Sequence, residues 1–205
     1  MVSTPESKYM SSQEYLDWEE QQPIKYEYIN GEVFAMTGGT LPHNSIALNL
    51  ASDLKSHVRG KGCKVFMADA KLGVSEKGPF HYPDVTVTCD ERDKNARKVI
   101  YHPCLIVEVL SPSTESFDSP TETLRERGKK FQQYRRISTL REYVLISAEQ
   151  INVEVFRLND RGIWELYTYM EREEVYLSSV DFRCALELLY EDVVLESDEE
   201  ETVGM

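Results

Sequence analysis

No stretch of this 205-residue chain stays apolar for the roughly 18–20 residues that a membrane-crossing helix needs, so no membrane partner is expected. The opening MVSTPESKYMSSQEY has no apolar core of the kind a secretory signal carries, which points to a cytoplasmic protein. Cysteine is scarce. Cys63, Cys89, Cys104 and Cys184 lie far apart with no CxxC pair, which argues against a zinc site or a disulfide framework and predicts partly buried free thiols. Positive charge is also short, with 23 Lys and Arg against 36 Asp and Glu, a formal net charge of -13. That balance argues against a general nucleic-acid coat protein but leaves room for a local basic groove and salt-sensitive binding to a polyanion. No internal repeat is visible.

What is present suits a single folded domain. The chain is 41% hydrophobic and 29% charged, enough apolar residues for a sizeable core. We expect a flexible N-terminus over 1–10, one domain over 11–195, and an acidic disordered tail over 196–205, where Glu196, Asp198, Glu199, Glu200 and Glu201 crowd together. The cations gather in the middle: Lys55, Arg59, Lys61 and Lys64, then Arg92 to Lys98, then Arg125 to Arg136. Each group reads as a solvated face or as part of a groove.

The elements follow from local pattern. Ser11 to Gln21 reads as a short helix, capped by Ser11 or Ser12 with Glu14 in its first turn and closed by Pro23. KYEYINGEVFAM reads as a hairpin across Asn30-Gly31, the preferred pair for a two-residue type I′ turn. GGTLPHN reads as a loop, and His43 to Arg59 as a helix with Ile46, Leu48, Leu50, Leu54 and Val58 apolar, stopped by Gly60 and Gly62. CKVFMADAKLGV gives one or two strands. YPDVTVT gives a strand with Val85 and Val87 on one face and Asp84 and Thr86 on the other. The run PCLIVEVLSP, nearly all apolar between prolines, is expected as a central strand covered on both sides. After it come a mobile loop over 112–124, a helix LRERGKKFQQYRRI, a strand REYVLIS, a hairpin of INVEVFRL and IWELYTYM, and a closing strand-and-helix segment. Strands and helices in this order make an α/β class, a central mixed sheet flanked by helices.

The chemistry concentrates in three residues. Asp84 and Glu108 each stand in an otherwise apolar strand, where a charge is costly unless paired or bound to metal. Side by side, two carboxylates suit Mg2+ or Mn2+, with the Val109 backbone carbonyl as a third oxygen. The alternative is a pair of acids held by a structural Arg or Lys. Lys130 falls on the same helical side as Arg127 and Tyr134, with Lys129 about a quarter-turn away as the second choice. An ammonium there would position the attacking water and offset phosphate charge, or it is an ordinary solvated lysine. His43, at a helix start, would contact a phosphate or serve only as a cap. Trp164, Tyr167, Tyr169 and Tyr176 alternate along strands, for base stacking or for cross-strand packing.

Pro-Asp, then an apolar strand with Glu, then a lysine resembles the PD-(D/E)XK nuclease superfamily. YEYINGEVFAM, His43, YPDVTV, LIVEVLSPST, RGKKFQQYRRI and LREYVLIS together resemble the Uma-two family of bacterial restriction-endonuclease-like proteins, over roughly Tyr15 to Leu195. The resemblance implies a restriction-endonuclease-like core and divalent-metal hydrolysis of DNA phosphodiesters, leaving a 5′-phosphate. Asp84 and Glu108 match its two acids, and Lys130 matches its helix lysine. Glu27 matches an acid ahead of the hairpin turn that approaches the site, although an exposed hairpin acid is the other reading. Two departures stand out. The superfamily's E-x-K would place a lysine where this chain has Leu110, and the loop before the helix is longer than the family leads one to expect. The leading expectation is an endonuclease acting as a homodimer, because duplex cleavage calls for two active sites. The competing expectation is a non-catalytic nucleic-acid-binding or protein-interaction module on the same fold, marked by an ion-pair network around Asp84 and Glu108.

Overall fold

The computed structural model describes residues 9–36, 38–110 and 128–195. The loop 112–124, Arg127 and the tail 196–205 therefore lie outside the described residues.

Local signals set the first elements. Helix α1 (Ser12–Glu19) starts with a full capping box: the Ser11 backbone N–H donates to the Glu14 carboxylate at 2.8 Å, and the Glu14 N–H donates to the Ser11 hydroxyl at 3.3 Å. Strands β1 (Tyr26–Ile29) and β2 (Glu32–Ala35) meet at Asn30 and Gly31, whose φ of 51° and 99° are those a type I′ turn requires. Met10 is buried here, accepting from the Tyr28 hydroxyl at 2.9 Å. Helix α2 (Leu41–His57) begins earlier than the loop-like GGTLPHN suggests. Thr40 is its N-cap, and Pro42 sits in the first turn, where its missing N–H is no loss.

The main sheet has six strands: β3 (Lys64–Met67), β6 (Val85–Thr88), β8 (Leu105–Leu110), β9 (Glu142–Ser147), β10 (Asn152–Leu158) and β11 (Trp164–Met170). Their order is β11-β10-β9-β8-β6-β3, and the pairing is antiparallel except between β8 and β9. A second sheet, β2-β1-β5-β4-β7, adds β4 (Lys71–Gly73), β5 (Phe80–His81) and β7 (Val99–Ile100). The segment CKVFMADAKLGV is thus two strands, in different sheets. The last segment also differs from the expected single strand: β12 (Glu174–Leu177) pairs with β13 (Phe182–Ala185) before helix α4 (Leu186–Leu189). Between β8 and β9, helix α3 covers residues 128–134.

Strand alternation sorts β8 between two cores. Leu105, Val107 and Val109 pack with Val85, Val87 and α2's Ile46, Leu50 and Leu54. Ile106 and Leu110 pack on the other face with Tyr134, Ile137, Leu140 and Tyr143. Glu108 therefore faces α3. All six residues of β8 are buried, as a central strand requires.

The cysteines correct the sequence reading. Cys63 and Cys89 form a disulfide, because the antiparallel register Lys64↔Thr88 continues to set Cys63 against Cys89. A separation of 26 residues hides that pairing from any spacing rule. Cys104 and Cys184 are free thiols as expected, and burial pushes both up to about 11.

Candidate active site

Five elements converge at one end of the main sheet. Asp84 lies just before β6 rather than within it. Its Oδ2 accepts the Val109 backbone N–H at 2.7 Å and lies 3.2 Å from Nε2 of His43, on the first turn of α2. This tie raises the His43 imidazole, with the Val109 carbonyl, also close to the ring, contributing in the same direction. His43 is therefore the partner of Asp84 and not only a cap.

Glu108 comes from the middle of β8. Its Oε1 receives the Tyr134 hydroxyl at 2.8 Å and the Lys130 ammonium at 3.2 Å, both from α3. The predicted spacing of Lys130 and Tyr134 on one helical side holds, while Lys129 is exposed. Burial raises the Glu108 carboxyl, and the charges of Asp84 and Glu27 add to it against the pull of Lys130. Position 110, where the superfamily carries lysine, is Leu110 in the apolar core on the α3 side. The cation approaches from α3 instead.

Glu27, on β1, belongs to this cluster. Its side chain is only 14% exposed, which excludes the exposed-hairpin reading, and its Oε1 lies 3.1 Å from Lys130 Nζ. Burial works to raise its carboxyl, but Lys130 and His81 outweigh that and hold it down at about 2. Lys130 itself is raised: burial opposes its charge, and Glu108 and Glu27 prevail.

Two participants were not singled out from sequence. His81 is fully buried, with Nδ1 3.2 Å from Glu27 Oε1 and Nε2 2.5 Å from Gln133 Oε1. His81 Nδ1 and Glu27 Oε1 face each other without hydrogen-bond alignment, so both buried atoms lack a well-aligned partner. The only sequence signal was a histidine three residues ahead of Asp84, and nothing local shows that it is buried.

Among the described residues, no three His, Cys, Asp or Glu side chains form a ready-made metal cage. The expected protein ligands are fewer: two carboxylates and one carbonyl, and Mg2+ takes much of its shell from water. The hard-oxygen donor set of Asp84, Glu108 and Val109 fits such an ion. Among the described residues, hydrogen bonds to these acids engage Asp84 Oδ2 and Glu108 Oε1, so each acid keeps a second oxygen.

Comparison with known proteins gives the family and the fold. The family described as "Uma2: Putative restriction endonuclease" matches residues 12–191. Two uncharacterized proteins of Synechocystis sp. (strain ATCC 27184 / PCC 6803 / Kazusa) are similar. One, slr1290, is 36% identical over 88% of this chain and 91% of its own length; the other, sll1609, is 33% identical over 87% and 98%. A crystal structure of "a putative nuclease belonging to DUF820" from Anabaena variabilis ATCC 29413 superposes with a TM-score of 0.70 at 17% identity, covering 88% of this chain and 97% of that one. At that identity the likeness shows the fold alone, an α/β restriction-endonuclease-like core. Given the match over nearly the whole chain, this protein belongs to the Uma2 family of restriction-endonuclease-like proteins.

Proposed function

We propose that this protein is a divalent-metal-dependent endonuclease that hydrolyses phosphodiester bonds in DNA. The observation that carries the reading is the approach of Lys130 to Glu108, with Asp84 tied to the next backbone N–H along β8. Asp84, Glu108 and the Val109 carbonyl would hold Mg2+ or Mn2+. Such an ion polarises a phosphate and lowers the pKa of a bound water. His43 fixes the orientation of Asp84 through the 3.2 Å contact. Lys130 supplies positive charge where negative charge builds on phosphorus, and Glu27 holds the ammonium in place. Tyr134 keeps Glu108 from swinging away by donating to Oε1. The working unit we infer is a homodimer, so that both strands of a duplex meet a centre.

The test is conversion of supercoiled plasmid to open circles with Mg2+ or Mn2+, and end analysis of the product. Cleavage with a 5′-phosphate, absent in EDTA, is the expected result. No cleavage with either metal would overturn the reading. Sedimentation then separates a dimer from a 23.7 kDa monomer.

One observation favours a second reading, a non-catalytic module. Lys130 bridges Glu27 and Glu108 while His43 pairs with Asp84, so the acids have counter-charges without any metal. Nucleic-acid binding without cleavage would select it.

A further inference from the structure

Helix α2 has a second charged feature, which the site above does not use. Asn44, Leu48, Ser52 and Lys55 follow steps of four, four and three, so they share one side of the helix; Arg59 follows just past its end, and all five are exposed. None is acidic, in a chain of net charge -13. The one carboxylate of α2, Asp53, is also exposed and directly follows Ser52, off the line of these steps. At the C-terminal end the stripe meets a cleft of about 280 Å³ whose lining includes Lys55, Arg59 and Lys64 together with Val58, Val65 and Phe66. No acid lines that cleft. Among the described residues no ion pair engages Lys55 or Arg59, whereas Lys94 and Lys98 are paired with Glu91 and Glu20. The stripe starts next to His43 and reaches Lys55 about 18 Å farther along, at ~1.5 Å per residue. That distance corresponds to about five steps of a nucleic-acid strand at ~3.4 Å each.

We propose that this side of α2, with the cleft at its end, is a track for the phosphate backbone of duplex DNA that also engages the Asp84–Glu108 centre. The inference rests on the nuclease reading for its choice of polyanion. Asn44 and Ser52 offer neutral donors to phosphate oxygens, and Lys55, Arg59 and Lys64 neutralise phosphates beyond them. An uninterrupted run without carboxylates suits contacts that position the duplex and carry no sequence information.

The test is equilibrium binding of the full-length protein to a fluorescent 20-bp duplex in EDTA, across a salt series, with plasmid nicking in Mg2+ run in parallel. K55E/R59E is expected to lower affinity at least tenfold at low salt and to flatten the log affinity–log salt slope by about two. K55Q/R59Q, gentler to folding, is expected to shift both in the same direction by less. R161E/R172E makes the same charge change on exposed residues elsewhere and is expected to leave the slope unchanged. Equal affinity and slope in K55E/R59E, an equal loss in R161E/R172E, or no duplex binding by wild type would each overturn the track. Nicking by wild type with unaltered binding by K55E/R59E would sink the track and leave the nuclease standing. Loss of binding without any wild-type nicking would keep the track and sink the nuclease.

Discussion

Glu108 and Glu142 stand in adjacent parallel strands, β8 and β9, each within six consecutive buried residues. Glu142 is fully buried and fully provided for. Arg157 Nε donates at 2.7 Å, the Ser178 N–H and hydroxyl each at 3.0 Å, and the Ser179 N–H at 2.8 Å, so both oxygens are engaged. Glu108 is 9% exposed and receives its donors on Oε1, while Asp84 and Glu27 press like charge on it. One acid ties β9 to β10 and to the turn after β12. The other has company that a fold alone would not choose. The same sheet thus separates a carboxylate that stabilises from one whose ionisation is costly, as the proposed nuclease centre would require.

Four substitutions and one condition press on that contrast, in falling order of effect on stability. Glu142→Ala leaves Arg157 without its buried partner and is expected to cost about 3–5 kcal/mol in chemical denaturation. A loss below about 1 kcal/mol would remove the contrast from the Glu142 side. Acid should act next. Glu27 titrates at about 2 in the metal-free protein against an ordinary 4.5, and Glu19, bonded to Lys71 and Tyr82, is also depressed. A depressed carboxyl contributes stability above its unfolded pKa and loses it as pH falls through the folded one. Stability should therefore drop between about pH 4.5 and pH 2, with Glu27 accounting for about 3 kcal/mol. Glu27→Gln should flatten that drop in a pH series of urea midpoints. Lys130→Gln should slow plasmid nicking about 10²-fold while the fold persists, checked by circular dichroism. Glu108→Gln is expected to change stability least. It removes a charge that burial and neighbouring acids oppose and keeps an acceptor for Tyr134, so its melting temperature should match or exceed wild type while nicking is lost.

Much of this was legible in the chain, and the limits have physical causes. The capping box at Ser11 and Glu14, the Asn30-Gly31 turn and the buried run of β8 are set by neighbours in sequence. Asp84, Glu108 and Lys130 were visible as charges in apolar or helical settings, and Glu27 through the family pattern. What escaped depends on register between distant segments. Cys63 meets Cys89 only because β3 pairs with β6. His81 meets Gln133 only because the second sheet and α3 bracket the same space. The start of α2 is hidden in sequence because Gly38, Gly39 and Pro42 look like breakers, whereas Thr40 and Pro42 make a good N-terminus.

Calorimetric titration of Mg2+ and Mn2+ into wild type and into the Asp84→Ala, Glu108→Ala double variant, alongside plasmid nicking, tests the central claim most directly. The account predicts metal binding and nicking in wild type and neither in the folded double variant. Metal binding that survives in the double variant, or none in wild type, would contradict it.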